Sequence, residues 1–184
     1  MKVVALTGAG ISKSAGIPTF EEIPNLKDKL SVEFKQSNPK AFNEAMNLLK
    51  DHVKDKEPTL AHKALAELQI PIITMNVDGL HKKAGSRLVY EIHGNCIEDN
   101  VVLYGQNIYF AEEAKNLIVK TAIEAKKYNE ESMLLIIGTS MQTSFPYLLM
   151  ALANQMGMQI YCINNNADIE VPLFLKENVF LSEN

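Results

Sequence analysis

Hydrophobic and polar positions alternate along this chain with two different periods. Val3 to Leu6, Ile70 to Ile73, Leu88 to Tyr90, Val101 to Leu103, Met133 to Ile137 and Gln159 to Ile163 are short runs, apolar nearly throughout. That pattern suits strands covered on both faces. Between them, apolar residues recur every three or four positions. Asn38-Pro39 predicts a helix start, with Asn as cap and Pro at the first helical position; Phe42, Met46, Leu49 and Val53 then face the core. Pro58 opens a second helix carrying Leu60, Ala64, Leu65 and Leu68. Ala111 to Lys127 forms a third, with Ala114, Leu117, Ile118, Ala122 and Ala125 on one side. Phe145 to Met156 forms a fourth, ended by Gly157. Strand–helix alternation predicts an α/β protein: a Rossmann-like, doubly wound, mostly parallel sheet with helices on both faces.

Composition narrows the class. A chain of 184 residues predicts a single domain spanning 1–184, long enough to bury roughly two thirds of its unfolded surface. Hydrophobic residues make up 47% and charged residues 22%, as in a soluble globular protein. No apolar run approaches the roughly 18 residues of a membrane span, so no membrane partner is expected. A net charge of −4 argues against a nucleic-acid partner but not against one basic peptide. Met1-Lys2 runs into a strand without a signal-peptide layout. The two cysteines, Cys96 and Cys162, stand far apart and in no paired motif, which predicts reduced thiols in the cytoplasm. Oligomeric state is not readable.

The chemistry concentrates where predicted strands end. Lys2 to Leu6 runs straight into Thr7-Gly8-Ala9-Gly10-Ile11-Ser12. That layout reads as a phosphate-binding turn: Gly8 takes a backbone angle closed to other residues, Gly10 keeps side chains away from a pyrophosphate, and backbone N–H groups with the next helix face the anion. Position 13 is Lys, so the third glycine of a full G-x-G-x-x-G is missing, and an ordinary tight strand-to-helix turn reads equally well. Asn76, Asp78 and His93 come from loops after strands, where an open α/β sheet has its ligand crevice. Asn76 and Asp78 also read as turn and cap residues opening a helix from Gly79 to Ala84, and His93 as a turn histidine before Gly94. His52 reads as solvated, and His62 and His81 as structural. Ser12 and Ser140 lack a His–Asp pair and are not read as nucleophiles.

Four segments together carry a resemblance: Gly8-Ala9-Gly10-Ile11-Ser12 with Gly16-Ile17-Pro18-Thr19-Phe20; Ile73-Thr74-Met75-Asn76-Val77-Asp78-Gly79-Leu80-His81; Glu91-Ile92-His93-Gly94-Asn95; and Leu135-Ile136-Ile137-Gly138-Thr139-Ser140. In order and approximate spacing, from residue 4 to Asn164, the chain resembles the sirtuin (Sir2) family of NAD-dependent protein deacylases. Pro58-Thr59-Leu60-Ala61-His62-Lys63-Ala64-Leu65 looks like that family's Pro-x-x-Ala-His-x-Ala-Leu helix. The resemblance implies NAD as co-substrate and an acylated lysine peptide or protein as partner. It implies nicotinamide and O-acyl-ADP-ribose as products. NAD hydrolysis, or binding of NAD or ADP-ribose without turnover, are the alternatives. It also implies the site. Gly8, Ala9, Gly10 and Ser12, with Ile17, Pro18, Thr19 and Phe20, would lie along the cofactor. Asn76 would sit near the nicotinamide ribose, Asp78 would hold the nicotinamide amide, and His93 would be the general base. Gly138, Thr139 and Ser140 would meet the phosphate and adenosine side, and Asn164 the adenosine ribose.

The sequence also departs from the family pattern. Most sirtuins carry a zinc ribbon with paired cysteines after the catalytic His-Gly. Here Val101-Val102-Leu103-Tyr104-Gly105-Gln106 follows almost at once, so no metal site and no zinc are expected. Thr19 and Glu21 replace an Asp and an Arg, Met75 replaces a Gln, and Tyr104-Gly105-Gln106 replaces Phe-Gly-Glu.

Overall fold

The computed structural model describes residues 1–19 and 22–179. Five strands form one parallel sheet in the order β3-β2-β1-β4-β5: β1 Lys2–Thr7, β2 Ile72–Thr74, β3 Val89–Glu91, β4 Ser132–Ile137 and β5 Gln159–Ile163. β1 lies between β2 and β4, so the strand order reverses beside it. The crevice of a doubly wound sheet opens there, at the carboxyl ends of the strands.

Successive residues of each strand point to opposite faces. Val3, Ala5, Ile72, Leu135 and Ile137 pack on one face against α4 (Leu60–Glu67) and α8 (Ala167–Asn178). Val4, Leu6, Ile73, Leu134 and Ile136 pack on the other against α6 (Ala111–Lys127) and α7 (Ser144–Gln155). Each fully buried Leu or Ile contributes about 1.5–3 kcal/mol, which is why these runs admit so few polar residues. α6 occupies the expected span, buries all five expected residues, and carries Glu112 and Glu113 in its first turn and Lys126 and Lys127 in its last, complementing the helix dipole.

A third core lies apart from the sheet cores. α1 (Leu26–Lys29), α2 (Val32–Ser37) and α3 (Pro39–Val53) pack with the 77–103 region around Leu26, Leu30, Phe42, Met46, Leu49, Val77, Leu80 and Leu103. Phe42, Met46, Leu49 and Val53 are buried on α3 as their spacing predicts.

Three local expectations need correction. Val101 to Leu103 is not a strand of the sheet: Val102 N–H donates to the His93 carbonyl at 2.9 Å, and Tyr104 N–H donates to Leu30 at 2.9 Å, so the segment is drawn into the third core. α4 begins at Leu60, not Pro58. Thr59 caps it in a box closed by His62, which turns Leu60 out to 58% exposure and buries Ala61 and Leu65. Asn38 takes the N-cap position of α3 with Pro39 first in the helix, as expected, but its side chain makes no capping bond and donates instead to Ser37 Oγ at 3.1 Å. A 3₁₀ helix, Ala9–Ala15, follows the glycine turn, closed by Gly16 at φ 73°.

Candidate active site

The glycine turn owes its composition to close packing. Gly8 is extended, φ −127° and ψ −176°, a conformation open to any residue, which corrects the expectation of a special backbone angle. A Cβ on Gly8 would lie 2.8 Å from the Gly138 oxygen, and one on Gly10 would lie 2.6 Å from Gly138 Cα. The turn is pressed against the loop after β4, and only glycine fits between the two backbones. Gly8, Gly10 and Ile11 spend their N–H groups on Ile137, Gly138 and Gly8 carbonyls. Those three amides therefore do not form the expected row facing an anion.

From the turn, Ser12 reaches into the crevice. It is buried, donates to Asp78 Oδ2 at 2.7 Å and accepts from Asn76 Nδ2 at 3.2 Å. Asp78 Oδ1 accepts the Leu80 N–H at 3.0 Å. Asp78 is thus a turn residue at the start of α5 (Leu80–Lys83) as well as a site residue, and the two readings of it are compatible. Ser12 has an aspartate partner but no histidine in hydrogen-bond contact.

Behind this triad runs a buried polar chain. Thr7 and Thr74 face each other in register, and Thr7 Oγ1 donates to Thr74 Oγ1 at 2.8 Å. Thr74 Oγ1 accepts the Asn76 N–H at 3.1 Å, and His81 Nε2 lies 2.8 Å from Thr7 Oγ1. Thr7 has given its proton to Thr74, so His81 Nε2 is the donor. The His81 ring lies 4.5 Å from that of His62, which sits against Thr59 Oγ1 at 2.7 Å. Burial pushes the pKa of both rings below the ordinary value, with Asp78 and Asp168 partly offsetting this at His62. Both rings are buried within this chain of contacts.

His93 follows β3 and is half-buried. Its Nδ1 lies 3.1 Å from the Met75 carbonyl oxygen, which can only accept. The proton therefore sits on Nδ1, and Nε2 keeps its lone pair. Burial lowers the pKa of the ring, and the Met75 bond partly opposes that. A neutral imidazole with a free Nε2 is the form a general base requires at neutral pH.

On the other side of β1, Thr139 N–H donates to Asn164 Oδ1 at 3.2 Å, which joins the loops after β4 and β5. Thr139 is buried, Ser140 and Asn164 are exposed, and Gly138 and Met141 take left-handed angles, φ 61° and 56°. Ile17 points into the third core, so it offers a ligand only its backbone; Pro18 and Thr19 are half-buried beside it. Phe20 and Glu21 lie outside the described residues.

Arginine is scarce. The chain has one arginine, Arg87, placed before β3 at the opposite end of the strands from the crevice. Lys13 pairs with Glu22 at 3.5 Å, and the same Glu22 carboxylate accepts the Thr19 N–H at 2.7 Å. Among the described residues, no three His, Cys, Asp or Glu side chains cluster as a metal site. Cys96 is buried in the third core, where burial pushes its thiol up to about 12.

The Sir2 family model matches residues 8–102, just over half of the chain, including the glycine turn, Asn76, Asp78 and His93. The chain belongs to the Sir2 family. It is 29% identical over 217 aligned positions to an NAD-dependent protein deacylase of Leptospira interrogans, covering 95% of this chain and 87% of the relative. It is 44% identical over 102 positions to an NAD-dependent protein deacetylase of Sulfurisphaera tokodaii, covering 50% of this chain and 41% of the relative. In fold it is similar to a Sir2–p53 peptide–NAD+ complex, with TM-score 0.79, 23% identity, and 97% and 94% of the two chains covered. A mutant Sir2 homologue in complex with ADP-ribose superimposes at TM-score 0.83, with 22% identity and 100% and 94% covered.

Sequence reasoning marked the Sir2 segments but gave no role to Thr7, Thr74 or Glu91. A threonine or carboxylate closing an otherwise apolar strand is the signal that finds them, since a buried polar group needs a partner.

Proposed function

We propose that this Sir2-family chain catalyses NAD-dependent deacylation of acyl-lysine in a peptide or protein, releasing nicotinamide and O-acyl-ADP-ribose. One observation carries the reading. His93 presents a bare Nε2, its ring locked through Nδ1, at the same strand ends where Asn76 and Asp78 meet Ser12. That polar, buried donor and acceptor set fits the nicotinamide end of NAD. The pyrophosphate end is less well provided, because Lys13 is paired with Glu22.

When bound, NAD supplies the electrophilic ribose carbon that receives the acyl oxygen. Asp78 would hold the nicotinamide amide, and Asn76 would lie beside the nicotinamide ribose. Ser12 fixes both side chains, so neither needs to reorganise as ligand arrives. His93 Nε2 would take a hydroxyl proton, and the Met75 carbonyl would stabilise the resulting imidazolium through Nδ1–H. Gly8, Ala9, Gly10, Thr139, Ser140 and Asn164 would line the phosphate and adenosine side, with Pro18 and Thr19 beside it. The 1–184 chain acts as one catalytic domain, and its setting is cytoplasmic, in line with two unpaired thiols.

NAD hydrolysis is the second reading. It is favoured by the short closed turn after His93, where Asn95 N–H donates to Asn100 Oδ1 at 2.6 Å and Asn100 N–H returns to the Asn95 carbonyl at 3.2 Å. So small a turn shields little of the crevice from water. Incubation with NAD, with and without an acetyl-lysine peptide, separates the readings by product. O-acetyl-ADP-ribose formed only with peptide supports deacylation. Free ADP-ribose at equal rate without peptide replaces it with hydrolysis, and NAD binding with no product replaces both with a sensor.

A further inference from the structure

Glu91 ends β3 two residues before His93, and its carboxylate is buried, with only 6% of the side chain exposed. A buried carboxylate is costly unless its oxygens are filled. Here both are. Oε1 accepts from Asn95 Nδ2 at 2.9 Å, and Oε2 meets Lys82 Nζ at 2.6 Å. Lys82 reaches on to Glu98 at 3.0 Å. The clamp therefore grips the His93 turn on both sides, through Glu91 before it and Asn95 and Glu98 after it.

The other end of the clamp is α5, whose short run of residues is attached to the Asn76–Asp78 loop at several points. Leu80 N–H holds Asp78 Oδ1, and His81 holds Thr7, which holds Thr74 and through it the Asn76 N–H. Cys96 N–H donates to the Val77 carbonyl at 2.9 Å, and a Cβ on Gly79 would lie 2.9 Å from Asn95 Nδ2. The two loops thus pack as one body, with α5 between them.

We propose that α5 is a positioning strut: through Lys82 and Glu91 it sets the His93 ring in register with Asn76 and Asp78, and Lys82 and Glu91 are positioning residues for His93. The inference rests on the reading of His93 as base. An ion pair between half-exposed Lys82 and buried Glu91 that only stabilised the fold would cost Tm on removal but leave His93 as it is. Positioning predicts more.

The chain has four histidines, so ring NMR resolves each one, with half-buried His52, on α3 away from the clamp, as internal reference. Lys82→Met should broaden or split the His93 ring signals and move its titration midpoint upward, toward the ordinary value, as the loosened turn admits water. His52 should not change. With NAD and acetyl-lysine peptide, kcat should fall about tenfold or more while KM for NAD stays within about twofold, because a misplaced reacting group costs rate before it costs binding. Lys82→Arg should restore most of both. Glu91→Gln keeps the Asn95 contact while removing the charge, and should repeat the Lys82→Met pattern if that variant fails to fold. Unchanged His93 signals and kcat in a folded Lys82→Met or Glu91→Gln protein with lowered Tm would overturn the proposal. If the wild type shows no deacylation, that failure belongs to the functional reading, and the NMR comparison still decides the strut.

Discussion

On the β2 and β3 side of β1 the site is held by side chains, whereas on the β4 side the turn after β1 is held by backbone pressed on backbone. In the first half, Ser12, Thr7, Thr74, His81, Glu91 and Lys82 form hydrogen bonds and ion pairs that fix Asn76, Asp78 and His93. In the second, Gly8 and Gly10 lie against Gly138 so closely that a single methyl group has no room. The halves should fail differently. A side-chain network can lose one member and keep its fold while losing geometry. A backbone contact made through glycine can lose nothing without moving a main chain.

The largest expected effect falls on the side-chain half. His93→Ala should lower deacylation by about 10²- to 10⁴-fold, the range for a lost acid–base group, with NAD affinity and Tm nearly unchanged. Deacylation at the wild-type rate would remove His93 from the mechanism and leave the side-chain half without its function.

Gly10→Ala probes the backbone half. The added methyl meets Gly138 Cα at 2.6 Å and its oxygen at 2.8 Å, neither of which can rotate away. Overpacking of this kind costs about 2–3 kcal/mol, a drop in Tm of roughly 5–10 °C for a chain of this size. Retained Tm with weakened NAD binding would show instead that the glycine serves the ligand and not the packing.

The pH dependence of stability sharpens the contrast, because only the side-chain half contains buried titratable rings. His62 and His81 have folded pKa values below the unfolded 6.5. Their neutral forms fit the fold, so the stability they contribute is complete above pH 6.5 and is lost as pH falls toward the folded values. Each ring removes about 1.4 kcal/mol per pH unit in that window. Tm measured from pH 7.5 to 5 should therefore fall, and His62→Leu should flatten the slope. Parallel slopes for the two proteins would mean that the pair is not what titrates.

The smallest effect concerns Lys13, the cation nearest the glycine turn in sequence. It is exposed, and Glu22 holds it. Glu22→Gln frees it and should tighten NAD binding about two- to threefold at low salt, with the gain shrinking at high salt. Calorimetry at two salt concentrations checks this; equal affinities at low salt would place Lys13 outside the reach of the cofactor.

Much of the fold is legible in the chain because periodicity reports burial directly. α6 could be bounded to the residue and its buried side named, since a long amphipathic helix repeats the same statement over several turns. Val101 to Leu103 could not be read correctly. Three apolar residues in a row are equally a buried strand or a segment buried against helices, and the backbone bonds to His93 and Leu30 that decide it come from distant sequence. The start of α4 was misread for a local reason: a Thr–His capping box places Thr59 outside the helix, so Leu60 opens it on the exposed side while Leu65 stays buried.

The site divides along the same line. By itself the sequence determined that Asn76, Asp78 and His93 follow strands, that Gly8 and Gly10 follow β1, and that the family is Sir2, since motif spacing is a one-dimensional property. Only the tertiary structure decided that Ser12 joins Asn76 to Asp78, that Gly8 and Gly10 are required by Gly138, that Met75 fixes the proton on His93 Nδ1, and that Lys82 braces the His93 turn through Glu91. Each of these is a contact of a few ångströms between residues many positions apart. Such contacts depend on strand order and loop path, which short-range patterns along the chain do not carry.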